Sequence, residues 1–418
     1  MAVTRSSHAF SAPLPVTGPV IGVIGGGQLV RMMIPAAIEL GLDLRIFAES
    51  PESAAAAVAH HSVVGDPSDL GALRRFALGT DVLTFEHEQV PTEHLRTLAS
   101  EGVNVQPSPE ALVYAQDKLQ MRQRIEQLGL PHPAWAEVTT PEQVREFGHR
   151  HGWPVVLKTP RGGYDGRGVM IVHEQQMEEP AVAEWFEQAA RQQGSLLLEE
   201  KVPYTRELSA LVARSPQGES TAWPVVESLQ VDAVCDEVLA PAPGLAEQTA
   251  HAVQQTALHL AEHLEVTGVM AVELFEVPQR EEGFLINELA MRPHNSGHWT
   301  QDGSVTDQFE QHLRAVTGLP LGSVESTAEA TVMKNCLGGA NDHLSAALPQ
   351  ALSAHPEARI HLYGKSVRPG RKVGHVNLRG TAAQLPPLRE AARETAEIII
   401  GTTPSAEDFS TGSAYTAE

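Results

Sequence analysis

The residues best placed to do chemistry lie in one stretch, Arg161-Gly162-Gly163-Tyr164-Asp165-Gly166-Arg167-Gly168. An apolar run ending in Lys158 leads into it, and a second apolar run, Val169-Met170-Ile171-Val172, leads out. This reads as strand, glycine-rich loop, strand. Glycines let backbone amides approach an anion closely, and successive amides form an anion-binding concavity. Lys158 and Arg167 add positive charge, so the segment predicts a phosphate site. It is not a Walker loop, because no Gly-Lys-Ser/Thr follows and the next element reads as a strand.

Four further groups carry chemistry. Glu273 lies within one predicted strand and Glu288 closes another, so a hairpin would bring both carboxylates to one place. Paired carboxylates with nucleotide phosphates are a common way to hold magnesium. Arg292-Pro293-His294-Asn295-Ser296-Gly297-His298-Trp299-Thr300 packs guanidinium, imidazole, amide and hydroxyl groups into nine residues, a density suited to a substrate-contacting loop. Lys365, Arg368, Arg371 and Lys372 place four cations within eight residues of a very acidic chain, enough to grip a phosphate. In the segment 196–202 an apolar strand ends in Glu199 and Glu200, and Glu207 follows. Acids there can accept from ribose hydroxyls, and extended backbone can read an adenine edge.

A second glycine cluster, Gly25-Gly26-Gly27-Gln28-Leu29-Val30-Arg31, sits between a predicted strand and helix, where unpaired helix amides attract anions. Gly25 and Gly27 fit the first two positions of a dinucleotide fingerprint, but Val30 stands at the third. Glu49, near the end of the next strand, keeps a nicotinamide reading open.

The elements that must position these groups follow from patterning. Strands are predicted at 19–24, 42–47, 62–64 and 82–85, alternating with helices that include 54–59. This implies a parallel, doubly wound sheet over about 18–110. A helical segment, 110–128, ends at Gly129. Strands at 153–158, 168–172, 195–200, 208–213, 269–276 and 283–289 suggest an α+β nucleotide domain. A basic strand-and-turn region spans 358–378. The expected division is a disordered tail 1–17, a Rossmann-like domain 18–115, a central domain 116–315, a small domain 316–401 and a loose tail 402–418.

Composition narrows the class. The 418-residue chain is 42% hydrophobic and 20% charged, with a net charge of −22. It suits a multi-domain globular protein and argues against nucleic-acid binding, which needs a basic footprint. Cys235 and Cys336 are the only cysteines and share no CxxC or Cys/His cluster, which leaves neither a disulfide framework nor a zinc site. No signal peptide or membrane span is read, and a cytoplasmic setting is expected.

Taken in order, IGGGQL, DK at 117–118, LKTPRGGYDGRG, EEKV then RELS, GVMAVELF, INELAMRPHNSGHWTQDG and RPGRKVGHVNL resemble the ATP-grasp enzymes. Within them the likeness is to the 5-(carboxyamino)imidazole ribonucleotide synthetases of purine biosynthesis. It covers about 19–378, and RPHNSGH and RPGRKVGH are its specific parts. The resemblance implies a Rossmann-like domain, a central ATP-grasp region and a small C-terminal domain. It implies joining of bicarbonate to 5-aminoimidazole ribonucleotide with ATP and Mg2+, often by a homodimer. Lys118, Lys158, Asn287 and Glu288 would meet ATP, with the lid of Gly163, Tyr164, Asp165, Gly166, Arg167 and Gly168 folded over its phosphates. Glu199, Glu200 and Val202 would line adenine, and Glu207 would hold ribose. Glu273 and Glu288 would be the metal ligands. Gly27, Gln28, Leu29, Glu86, His294, Asn295, Ser296, Lys365, Arg371 and Lys372 would face the ribonucleotide. His294, Arg292, Lys158, Asp165 and Arg167 would be catalytic.

The chain departs from the family twice, with Val30 where Gly is usual and Met291 where Pro is usual. Val30 would stand close to the substrate turn. The nearest alternatives are a formate-dependent ribonucleotide transformylase or a biotin carboxylase relative. Gln28 and the PHNSGH run weigh against these, since the transformylase usually carries Glu in the glycine motif. An NAD-dependent oxidoreductase and a non-catalytic nucleotide-binding regulator are the alternatives of another class.

Overall fold

The structure, a computed structural model, describes residues 18–163, 168–191 and 194–401. Tyr164, Asp165, Gly166 and Arg167, expected in the lid, lie outside the described residues, as do both tails.

Strands β1 (Val20–Ile24), β2 (Asp43–Ala48), β3 (His61–Val64) and β4 (Val82–Phe85) form a parallel sheet in the order β3-β2-β1-β4. Parallel strands buried on both faces read as near-continuous apolar runs, which is why VIGVI and VLTF were legible. The expected helix at 54–59 is instead a set of turns, with Ala55 N bonded to Gly26 O at 2.8 Å. The stretch 54–59, confined between Pro51 and the strand that begins at His61, is six residues long and makes fewer than two helical turns, and a helix that short is unfavourable.

The single helix expected over 110–128 is two, Pro109–Gln116 and Lys118–Gln127. They break at Asp117, whose extended backbone and carboxylate cap the second helix through Leu119 N and Gln120 N. This is ordinary N-cap chemistry, and it points Lys118 out of a helix start.

A four-stranded antiparallel sheet follows: β5 (Trp135–Val138), β6 (Val155–Lys158), β7 (Val169–Val172) and β8 (Leu196–Glu200), in the order β5-β8-β6-β7. The remaining strands are β9 (Arg206–Arg214), β10 (Ser220–Ala222), β11 (Val226–Val231), β12 (Val234–Ala240), β13 (Gly268–Glu276), β14 (Phe284–Ala290), β15 (Ala330–Leu337), β16 (Arg359–Leu362) and β17 (Lys372–Gly380). They form one sheet in the order β14-β13-β9-β11-β12-β15-β17-β16, with β10 on β9. This sheet runs unbroken past residue 316, where sequence reading divided two domains. The joint is the β12–β15 pair, Glu237 opposite Lys334. Strand pairing of residues about a hundred apart leaves no local signal.

Two apolar clusters weld the N-terminal domain to the central one. Ile21, Val30 and Met33 pack with Phe309, Leu313 and Val316 of the helix Gln308–Thr317. Phe85, Leu112 and Ile125 share a core with Met270, Val272 and Ile286. The ends of β1, β4, β13 and β14 are therefore held in fixed relation.

Candidate active site

Strands β6 and β7, which flank the glycine stretch, pair antiparallel, with Lys158 opposite Val169. Thr159 N donates to Gly168 O at 2.9 Å and closes the loop base. Gly168 has φ +73°, and a β-carbon there would meet Thr159 Oγ1 at 2.3 Å, so only glycine fits. The loop entrance is tied to the helix start, because Arg161 Nε donates to Asp117 at 2.8 Å and Lys118 N to Pro160 O at 2.9 Å. Lys118 and Lys158 are thereby held on either side of the loop base.

Lys158 Nζ lies 2.7 Å from Glu199 Oε2 and donates to Asn287 Oδ1 at 3.3 Å. The other oxygen of Glu199 takes Nε of Arg122, a fully buried guanidinium that also donates to Ile286 O at 3.0 Å and Asn287 O at 2.7 Å. Burial alone would raise Glu199, but Arg122 and Lys158 carry it down to about 2. Its side chain thus braces Lys158 against Arg122. Glu200 is likewise committed, accepting from Ala134 N at 2.9 Å and from Arg280 at 2.8 Å. An adenine contact from either residue would have to come from its backbone. Val202 packs in a small apolar cluster with Val277 and Leu285, and Tyr204 stacks on Phe275 beside it. Arg122 was missed in the sequence. The available signal was its place one helical turn after Lys118, on the same helix face.

Glu273 and Glu288 are direct cross-strand partners on β13 and β14. A bulge follows Glu273 in the register, a device that re-aims side chains. Glu288 pairs with Lys118 at 2.9 Å and Glu273 with His294 Nε2 at 3.1 Å. Glu273 is lowered despite its burial, through that hydrogen bond and the charges of His294, Lys118 and Arg292. Glu207 arrives from the adjoining β9, with Tyr204 donating to it at 3.1 Å. Burial, then Glu273 and Glu288, push Glu207 up to about 7. Among the described residues no three His, Cys, Asp or Glu side chains are grouped to hold a metal by themselves. Two facing carboxylates with crowded negative charge suit a hard cation that completes its shell with phosphate oxygens and water.

A pH dependence follows. An acid raised above its ordinary 4.5 favours folding when protonated, so the contribution of Glu207 is complete below 4.5 and is lost as pH rises through about 7. The unliganded protein should melt at progressively lower temperature from about pH 5 to about pH 8. Glu207→Gln should flatten that fall. A variant with the wild-type slope would show that the charge of Glu207 does not drive it.

The run 292–300 joins the parts. Arg292 Nε donates to Glu88 of the N-terminal domain at 3.0 Å. His294 Nδ1 meets the Ser296 hydroxyl at 2.8 Å, and that hydroxyl meets Ser209 on β9 at 2.7 Å. Both amide atoms of Asn295 are buried without a hydrogen-bond partner among the described residues. Buried polar groups are normally bonded, so the Asn295 amide could take a ligand. His298, fully buried, is pushed well below the usual histidine range by that burial.

At the first glycine turn, Glu86 accepts from Leu29 N at 3.0 Å and from Gly27 N. A β-carbon on Gly27 would meet Glu86 Oε1 at 2.2 Å. The helix-start amides where a dinucleotide pyrophosphate would sit are therefore filled by a carboxylate. Glu49 bonds His87 at 3.2 Å. Together these contacts remove the structural basis of the nicotinamide reading. Lys365 donates to Gln28 Oε1. Burial lowers Lys365, Glu86 opposes that, and Arg371 and Lys372 reinforce it, which places all these charges in one neighbourhood. Arg371 is oriented by Ser366, at 2.7 Å from its hydroxyl. Val30 and Met291 are each absorbed into a core cluster. Val30 therefore faces the sheet and not the turn.

A lysine at the root of a glycine hairpin, a second lysine at a helix start and paired carboxylates on a neighbouring sheet define an ATP-grasp ligase. Family models agree along the chain: ribonucleotide synthetase preATP-grasp domain over residues 19–116, ATP-grasp domain over 123–309, and phosphoribosylaminoimidazole carboxylase C-terminal domain over 331–385. The chain is 50% identical over 372 residues to N5-carboxyaminoimidazole ribonucleotide synthase of Mycobacterium bovis, covering 88% of this chain and 85% of that protein. It is 45% identical to the Corynebacterium ammoniagenes enzyme of the same name over 386 residues, covering 91% and 92%. Among solved structures it resembles the Thermus thermophilus synthetase, with TM-score 0.79, 39% identity and coverage of 92% and 99%. It also resembles the Aspergillus clavatus enzyme in complex with ADP and 5-aminoimidazole ribonucleotide, with TM-score 0.78, 31% identity and coverage of 92% and 99%. The chain belongs to the N5-carboxyaminoimidazole ribonucleotide synthase family.

Proposed function

We propose that this chain uses ATP to join bicarbonate to the amine of 5-aminoimidazole ribonucleotide, giving N5-carboxyaminoimidazole ribonucleotide, ADP and phosphate. The observation that supports this most is His294, whose ring reaches Glu273 of the phosphate end at 3.1 Å while its loop carries the unpartnered Asn295 amide. One residue thus borders both reacting halves.

Bicarbonate is a poor electrophile. Its oxygen attacks the γ-phosphorus of ATP, ADP leaves, and carboxyphosphate forms. Charge spreads over the phosphoryl oxygens, so positioning and electrostatic stabilisation dominate. Lys118 and Lys158 face that charge. A magnesium ion held by Glu273 Oε2 and Glu288 would neutralise further phosphate charge. The reactive anhydride has to be kept from water until the amine attacks. Carboxyphosphate breaks to carbon dioxide and phosphate, the amine attacks the carbon, and its proton passes to His294. Gln28, Lys365, Arg371 and Lys372 hold the ribonucleotide, with the cations on its phosphate. Among the described residues no helix is long and apolar enough to cross a membrane. We place the reaction in the cytoplasm and expect a homodimer, which analytical ultracentrifugation would check.

Labelled bicarbonate tests this reading. It should enter an acid-labile ribonucleotide at one label per ATP cleaved, and formate should not replace it. Formate incorporation would favour the transformylase instead. Lys365→Ala combined with Arg371→Ala should raise the ribonucleotide KM by about 100-fold, the loss of two charge-assisted bonds of about 1.5 kcal/mol each. The ATP KM should stay unchanged, and equal effects on both would remove the phosphate from that site.

A further inference from the structure

Gln308 is the first residue of the helix Gln308–Thr317 and has no exposed surface. Its carboxamide grips one residue from both sides: Oε1 accepts from His294 N at 2.8 Å, and Nε2 donates to His294 O at 2.9 Å. Nε2 also donates to His298 Nδ1 at 2.9 Å. The backbone groups of His294 fix which end of the amide is oxygen, so this orientation has no alternative. The grip is close, for a β-carbon on Gly297 would meet Gln308 Oε1 at 2.4 Å.

The helix behind Gln308 is itself anchored. Asp307 caps it through Phe309 N at 2.7 Å and Glu310 N at 2.9 Å. Gln308 N donates to Thr300 Oγ1 at 3.0 Å, and that hydroxyl donates to Gly297 O at 2.6 Å. One turn on, on the same helix face, His312 Nδ1 accepts from Val269 N of β13 at 3.1 Å, and Nε2 bonds Thr84 Oγ1 of β4 at 3.0 Å. Burial pushes His312 down to about 3, so it stays neutral in this bridge. Phe309, Leu313 and Val316 seat the helix in the core of the N-terminal domain.

We propose that Gln308 is a positioning residue for His294, setting the imidazole against Glu273 from a helix rooted in the ribonucleotide-binding domain. The proposal rests on the role given to His294 above. A misplacement of about 1 Å can cost about 100-fold in rate, and two backbone bonds from a buried amide are what prevents it. Gln308→Glu keeps the shape and the acceptor for His294 N but loses both donors.

The test compares the wild-type enzyme, Gln308→Glu, His294→Ala and the double variant, in carboxylation rate, ATP KM and thermal melting. Gln308→Glu should lower kcat by about 10- to 100-fold with the ATP KM unchanged. In the His294→Ala background the same substitution should have no further effect, a non-additivity that a general loss of stability would not produce. Gln308→Asn, which withdraws the amide by one methylene but stays neutral, should show the same pattern and serves if Gln308→Glu does not fold. A slow His294→Ala variant alongside a Gln308→Glu or Gln308→Asn variant at wild-type rate would overturn the proposal while leaving the role of His294 intact. So would fully additive losses. A His294→Ala variant at full rate would overturn the role of His294 itself.

Discussion

Glu288→Ala should lower ATP cleavage by about 10³-fold, even at saturating Mg2+. Glu288 stands opposite Glu273 across β13 and β14, and its other contact is Lys118 at 2.9 Å. Its removal leaves one carboxylate, too few protein oxygens to fix a cation that already relies on phosphate and water. Lewis-acid stabilisation of phosphoryl transfer contributes several kcal/mol, and a loss of about 4 kcal/mol corresponds to about 10³ in rate. The fold should survive, since the Glu288 side chain is 34% exposed and Lys118 can turn to solvent. Phosphate release, read beside a melting curve, checks this. A wild-type rate would remove Glu288 from the metal role.

Arg122→Met is expected to act on stability and catalysis together. Arg122 is fully buried and satisfies Glu199, Ile286 O and Asn287 O. Without it, Glu199 keeps Lys158 alone of these two cations, and the buried Ile286 carbonyl and the part-buried Asn287 carbonyl lose this donor. Removing one partner of a buried ion pair costs about 3–5 kcal/mol, which chemical denaturation would read. The lysine would also be drawn more tightly to Glu199, so kcat/KM for ATP should fall. Arg122→Lys should not restore either property, because an ammonium cannot reach three acceptors arranged for a planar fork. A variant with wild-type stability and activity would show that Glu199 and Lys158 need no third partner.

What could be read from the sequence was whatever has a local cause. The parallel strands show as apolar runs, and the glycine hairpin shows as four glycines between two of them. Glu273 and Glu288 stand out because each lies in an apolar strand. The cations of 365–372 contrast with a chain of net charge −22. What stayed hidden depends on pairing across distance. The β12–β15 joint between the central and C-terminal domains, the turn of Glu86 into the first glycine loop, and the grip of Arg122 on Glu199 all join residues far apart in the chain. Glu199 shows the limit well. Its place at a strand end suggested a nucleotide contact, but only its burial between two cations makes it a brace for Lys158. Gln308 carries no motif, and its role follows only from two hydrogen bonds to one backbone.

In the proposed mechanism the phosphate end and the ribonucleotide end form one reaction centre joined through His294. Phosphate release from magnesium-ATP and bicarbonate, with and without 5-aminoimidazole ribonucleotide, tests it most directly. Strong stimulation by the ribonucleotide is expected, with one carboxylated product per ATP. ATP cleavage that ignores the ribonucleotide, or phosphate released without carboxylated product, would contradict it.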